Sequence, residues 1–133
     1  MARNLKQTSA YRQIIAEMPE NPVVKSEFNR MLPRFSKLDD ASAELAMKLL
    51  ARVAFMTVQL ADIERHIDDE GVRESYQNGA NQFGYKKSTY VEVYNAMIKN
   101  YAALTRQLTD MLPDSDKDGA SDDGFEQFVA RKS

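Results

Sequence analysis

Cysteine and tryptophan are both absent from this 133-residue chain, and histidine occurs once, as His66. Without cysteine there is no disulfide, no thiolate metal site and no cysteine nucleophile. No Ser–His–acid grouping, phosphate-cradling glycine loop or zinc-spaced ligand set is present. No apolar run approaches the roughly 20 residues of a membrane-spanning helix, and the polar opening stretch does not read as a signal peptide. The expectation is a soluble intracellular protein with no catalytic residue, metal or cofactor. A chain of this length can bury roughly two-thirds of its unfolded surface, enough for one core without staples.

Charge is present in both signs but unevenly. The formal net charge is -2. Residues 1–37 carry Arg3, Lys6, Arg12, Lys25, Arg30, Arg34 and Lys37 against only Glu17, Glu20 and Glu27. Residues 113–133 reverse the balance, with six acids against three bases. A basic front and an acidic tail suggest separate tasks for the two ends.

Apolar spacing supplies the fold. Tyr11, Ile14, Ile15 and Met18 recur at helical intervals before Pro19. Pro22 suits a first helical turn, Val24, Phe28, Met31 and Leu32 follow on one side, and Pro33 ends or kinks that helix. Asp39 or Asp40 then opens a long helix. Its row of Leu49, Val53, Met56, Leu60, Ile63 and Ile67 alternates steps of four and three, a heptad seam. Gly71 is its stop after Glu70. A second long helix opens at Thr89, where Thr89 and Glu92 read as a capping box. Its seam is Tyr90, Tyr94, Met97, Tyr101, Leu104, Leu108 and Met111, closed by Pro113. Matching seams predict an antiparallel helical hairpin. Between them, Asn78-Gly79 is a turn signal, with Ser75-Tyr76 and Phe83-Gly84-Tyr85 as short strands.

Each long helix has a second apolar set: Ala46, Leu50, Ala54, Phe55 and Val58 on the first, Val91, Val93, Ile98 and Ala102 on the second. Two helices cannot bury both seam and surplus. Either the N-terminal helices cover the excess, or copies of the protein pack side by side. On the second option, Leu50, Phe55, Val58, Val91 and Ile98 are the expected subunit contacts.

Four features invite a functional reading, each with a plainer one beside it. Asp114, Asp116, Asp118 and Gly119 begin like a calcium loop, but Phe125 stands where the bidentate acid belongs. A flexible acidic linker is the preferred reading. Farther on, Phe125, Phe128 and Val129, followed by Arg131, form a short apolar stripe suited to docking in a partner's groove. His66 among Asp62, Asp69 and Glu70 reads as solvated or paired with Glu70. Lys86 and Lys87 could neutralise the acids at 68–70, which oppose the helix dipole, or meet phosphate.

The order of elements resembles the small subunit of a tailed-phage terminase. The resemblance spans roughly residues 20–112 and is carried by "NPVVKSEFNRMLPRFSKLDD", "ADIERHIDDEGVRESYQNG" and "YKKSTYVEVYNAMIKNYAALTRQL". It implies a non-catalytic, ring-forming homo-oligomer in the host cytoplasm. Such a subunit binds double-stranded viral DNA and presents it to the large ATPase and nuclease subunit. The DNA-contact candidates are Arg3, Lys6, Arg12, Lys25, Arg30, Arg34, Lys86 and Lys87. No helix-turn-helix with base-reading side chains is visible, so their contacts would go to phosphate and weaken with salt.

The expected architecture is mainly all-α. A basic N-terminal helical segment (1–38) precedes a helical-hairpin oligomerisation core (39–112), with a β-hairpin at 72–87 as its rim element. An acidic tail (113–133) holds the docking segment for the large subunit. An oligomeric helical scaffold or adaptor with no nucleic-acid role is the rival reading, and a calcium-responsive protein is a third.

Overall fold

A computed structural model describes residues 3–77, 79 and 82–114. It is mainly helical with one small antiparallel two-stranded sheet. In order, a 3-10 turn (Leu5–Gln7) leads to α1 (Ser9–Glu17), α2 (Pro22–Met31) and a second 3-10 turn (Leu32–Phe35). The long helix α3 (Asp40–Glu70), strands β1 (Arg73–Gln77) and β2 (Phe83–Lys87), and α4 (Thr89–Met111) complete it. Of the acidic tail expected at 113–133 only residues 113 and 114 are described; the rest of the loop that begins at Asp114, and the docking stripe, lie outside the described residues.

Local chemistry sets each boundary. The Thr8 hydroxyl accepts from the Tyr11 N–H to cap α1, and the Asn21 side chain accepts from Val23 and Val24 to cap α2, with Pro22 in its first turn. Pro33 sits in the 3-10 turn that ends α2. Asp39 caps α3 by accepting from the Ser42 N–H, and that bond holds the Asp39 carboxyl below its ordinary pKa. At the other end Gly71 takes φ +83°, a left-handed conformation suited to glycine, while its N–H bonds the Ile67 carbonyl at 2.8 Å.

α3 and α4 run antiparallel. Thr57 bonds Tyr101 at 3.2 Å, the Tyr94 hydroxyl donates to Glu64 at 3.0 Å, and His66 stacks on Tyr90 with ring centroids 4.4 Å apart. As numbers rise on one helix they fall on the other. The α1 and α2 layer packs on the first half of α3, where Phe28, Val24, Leu32, Met47 and Leu50 are fully buried. Tyr11 ties that layer together, its hydroxyl donating to Asn29 at 2.8 Å and its ring 6.0 Å from Phe28.

Two expectations are corrected. Leu50 is not a subunit contact: it is fully buried inside the chain, because the N-terminal helices cover the surplus face of Ala46, Leu50 and Ala54. The cap of α4 is Ser88, not Thr89. The buried Ser88 side chain accepts from Tyr90, and Ser88 has the extended backbone a cap requires (φ −57°, ψ 138°). Thr89 turns to Glu74, its hydroxyl donating at 3.4 Å, so the Thr89–Glu92 box does not form.

Candidate nucleic-acid interface

The two strands pair Arg73 with Lys87, Glu74 with Lys86, Ser75 with Tyr85, Tyr76 with Gly84, and Gln77 with Phe83. Residues 78–82 connect them, with Gly79 at φ +84°. The Ser88 N–H closes the base of the hairpin on the Val72 carbonyl at 2.9 Å. Both strands therefore spring directly from the ends of α3 and α4.

Because paired residues share a face of an antiparallel ladder, the register divides the hairpin into two surfaces. On one, Lys86 reaches Glu74 at 3.1 Å, and Tyr76 lies over Gly84. A Cβ at position 84 would come within 2.7 Å of the Tyr76 hydroxyl, so glycine makes room for the ring. Glu74 also accepts from Thr89. Its carboxyl is held below the ordinary glutamate range, first by the Lys86 hydrogen bond. On the other surface stand Arg73, Ser75, Gln77, Phe83, Tyr85 and Lys87, all exposed. There the Arg73 guanidinium lies over the Tyr85 ring, 5.5 Å from its centroid.

The eight cations expected to touch DNA do not form one patch. Arg3 pairs with Asp40 and donates to the Leu38 carbonyl at 3.0 Å. Lys25 pairs with Glu20 at 3.3 Å, and Arg30 with Glu27 at 2.7 Å. Arg12 donates to the Gln7 carbonyl at 3.4 Å, and Lys6 is exposed. Arg30 and Arg34 border a groove of about 350 Å³ between α2, α3 and α4. Lys86 meets Glu74 rather than the acids at 68–70, while Lys87 has no ion pair among the described residues. Arg3, paired with Asp40 at the start of α3, and the hairpin cations, which follow its end at Glu70, are set apart by a helix on the order of 45 Å long. Exposed ion pairs of this kind contribute little, about 0–1 kcal/mol, so phosphate can displace them.

The expected subunit contacts are also dispersed. Phe55 and Val58 are half-buried against the core, and Ile98 lines the groove facing the N-terminal layer. Val91 is half-buried. The open flank of α4, opposite Ile98, instead presents Val93, Ala96, Asn100, Ala103 and Gln107. All five are exposed and none is charged. Their steps of three and four repeat the seam spacing, which was the available signal. It is hard to see in sequence because alanine, asparagine and glutamine do not stand out as apolar. Arg73 and the aromatic hairpin face were missed for a different reason: they align only once the strand register is known.

His66 is half-exposed, 3.7 Å from Asp62 and 3.9 Å from Glu70. Among the described residues no group of three or more acidic or histidine side chains is arranged to hold a metal ion, and no helix is long and apolar enough to cross a membrane.

Comparison with family models, with curated proteins and with solved structures finds no match for this chain.

Proposed function

We propose that this chain is a non-catalytic DNA-packaging subunit of the terminase small-subunit kind. In this reading it assembles with copies of itself into a ring, binds double-stranded viral DNA, and passes it to the large ATPase and nuclease subunit. The observation that carries the reading is the open flank of α4. A 23-residue helix has only Leu108 buried, while Val93, Ala96, Asn100, Ala103 and Gln107 form an exposed, uncharged row at heptad spacing. Such a row fits a neighbouring helix. Small phosphate contacts from Lys6, Arg12 and Lys87, repeated around a ring, add through avidity.

Native mass spectrometry and duplex-DNA binding across a salt series test the reading together. A discrete multi-copy assembly whose duplex affinity falls steeply with salt is the expected result. A clean monomer would remove the physical support for a ring. An assembly indifferent to duplex DNA would favour the scaffold reading.

A further inference from the structure

We infer that the outer face of the β-hairpin is a stacking platform for unpaired nucleic-acid bases, distinct in chemistry from a phosphate-only contact. The inference deepens the DNA-binding reading and rests on it. Phe83 and Tyr85 are 73% and 72% exposed, larger aromatic exposure than anywhere else among the described residues. Standing two residues apart on β2, they are separated by about 7 Å, twice the roughly 3.4 Å rise between stacked bases. A base can therefore lie against either ring.

Charge on this face has one sign. Arg73 and Lys87 form the cross-strand pair nearest the helices, and Ser75 and Gln77 add neutral hydrogen-bonding groups. No carboxylate shares the surface. Glu74, the one acid of the two strands, belongs to the opposite face and is occupied by Lys86 and Thr89. Arg73 over Tyr85 already shows a cation on an aromatic ring. Aromatic rings for bases beside cations for the backbone are the components of single-strand binding. A second copy presenting the same face would bring like charges together, so self-pairing of this surface is disfavoured.

The probe is a short fluorescently labelled oligothymidylate, with a duplex of equal length alongside, read by anisotropy on the full chain. The wild type is expected to bind both. F83A/Y85A is expected to lose oligothymidylate affinity on the order of 10-fold per ring, with duplex binding and helical circular dichroism retained. R73A/K87A is expected to make the logarithmic salt slope for the single strand shallower by about 1.4, two phosphates at roughly 0.7 each.

Duplex binding without oligothymidylate binding, or oligothymidylate binding untouched by F83A/Y85A, would overturn the platform and leave the DNA reading standing. Binding to neither would overturn both. If F83A/Y85A instead broke the native assembly into smaller species, the face would be a subunit contact and the platform would fall.

Discussion

At the scale of the residue, the same side chain can be asked to serve the core or a partner, and burial decides. Leu50 sits on the surplus face of α3, where a neighbouring subunit could have covered it, but its own chain does so completely. Leu50→Ala should therefore destabilise the protomer itself by about 2–5 kcal/mol, the cost of a truncated core leucine. Urea unfolding measures this, and a loss below about 1 kcal/mol together with a smaller native mass would return Leu50 to the interface. Gly71 is the contrasting case: nothing lies within 4 Å of a Cβ there, so only its positive φ matters. With ψ at −179° the position lies in a region nearly reserved for glycine, and Gly71→Ala should cost roughly 1–3 kcal/mol of backbone strain, readable in the same unfolding experiment. At Gly84 the constraint is the Tyr76 ring rather than the backbone.

At the scale of the element, the question is how each piece begins and what locks it to its neighbour. Ser88 caps α4 and also closes the hairpin through its N–H, so it joins two elements. Ser88→Ala should cost about 1 kcal/mol, and Thr89→Ala less; the reverse order in thermal melts would restore the Thr89 cap. Glu74 joins the same pieces electrostatically. Its pKa is lowered in the folded chain, so its contribution is fully present above the ordinary glutamate range, about 4.3. That contribution is lost as pH falls through the lowered folded value. Amide protection at 73–77 and 83–87, measured against the intrinsic exchange rate at each pH, should fall below about pH 4, and Glu74→Gln should abolish that dependence. Protection unchanged by acid would mean that the pair does not hold the hairpin.

Elements were legible in the sequence wherever one residue type forces one geometry. Pro22, Pro33 and Gly71 mark boundaries that the structure keeps, and the paired seams gave the antiparallel helices. The α4 cap was misread because Ser88 and Thr89 are equivalent cappers in sequence; the Val72 carbonyl, a tertiary partner, selects between them. Allocation of the surplus faces was equally invisible, since it depends on where α1 and α2 dock. Half of the alternative offered by the residues holds: the N-terminal helices do cover α3.

At the scale of the whole molecule, that covering is one-sided. The N-terminal layer packs on α3 and faces the Ile98 flank of α4 across a groove, while the opposite flank of α4 faces solvent along its length. In a monomer, Ala96 and Ala103 on that flank are ordinary exposed helix positions. Replacing both with glutamate, itself a good helix former, should alter protomer stability by no more than about 0.5 kcal/mol each. In an assembly that buries the row, two carboxylates per copy would be stripped of water at the interface without partners, at a cost of several kcal/mol. A96E/A103E should accordingly keep its helicity and unfolding midpoint at low concentration, yet shift the native mass to smaller species. Retention of a full-sized assembly would show that the copies meet elsewhere, and the packing proposed for α4 would have to be abandoned.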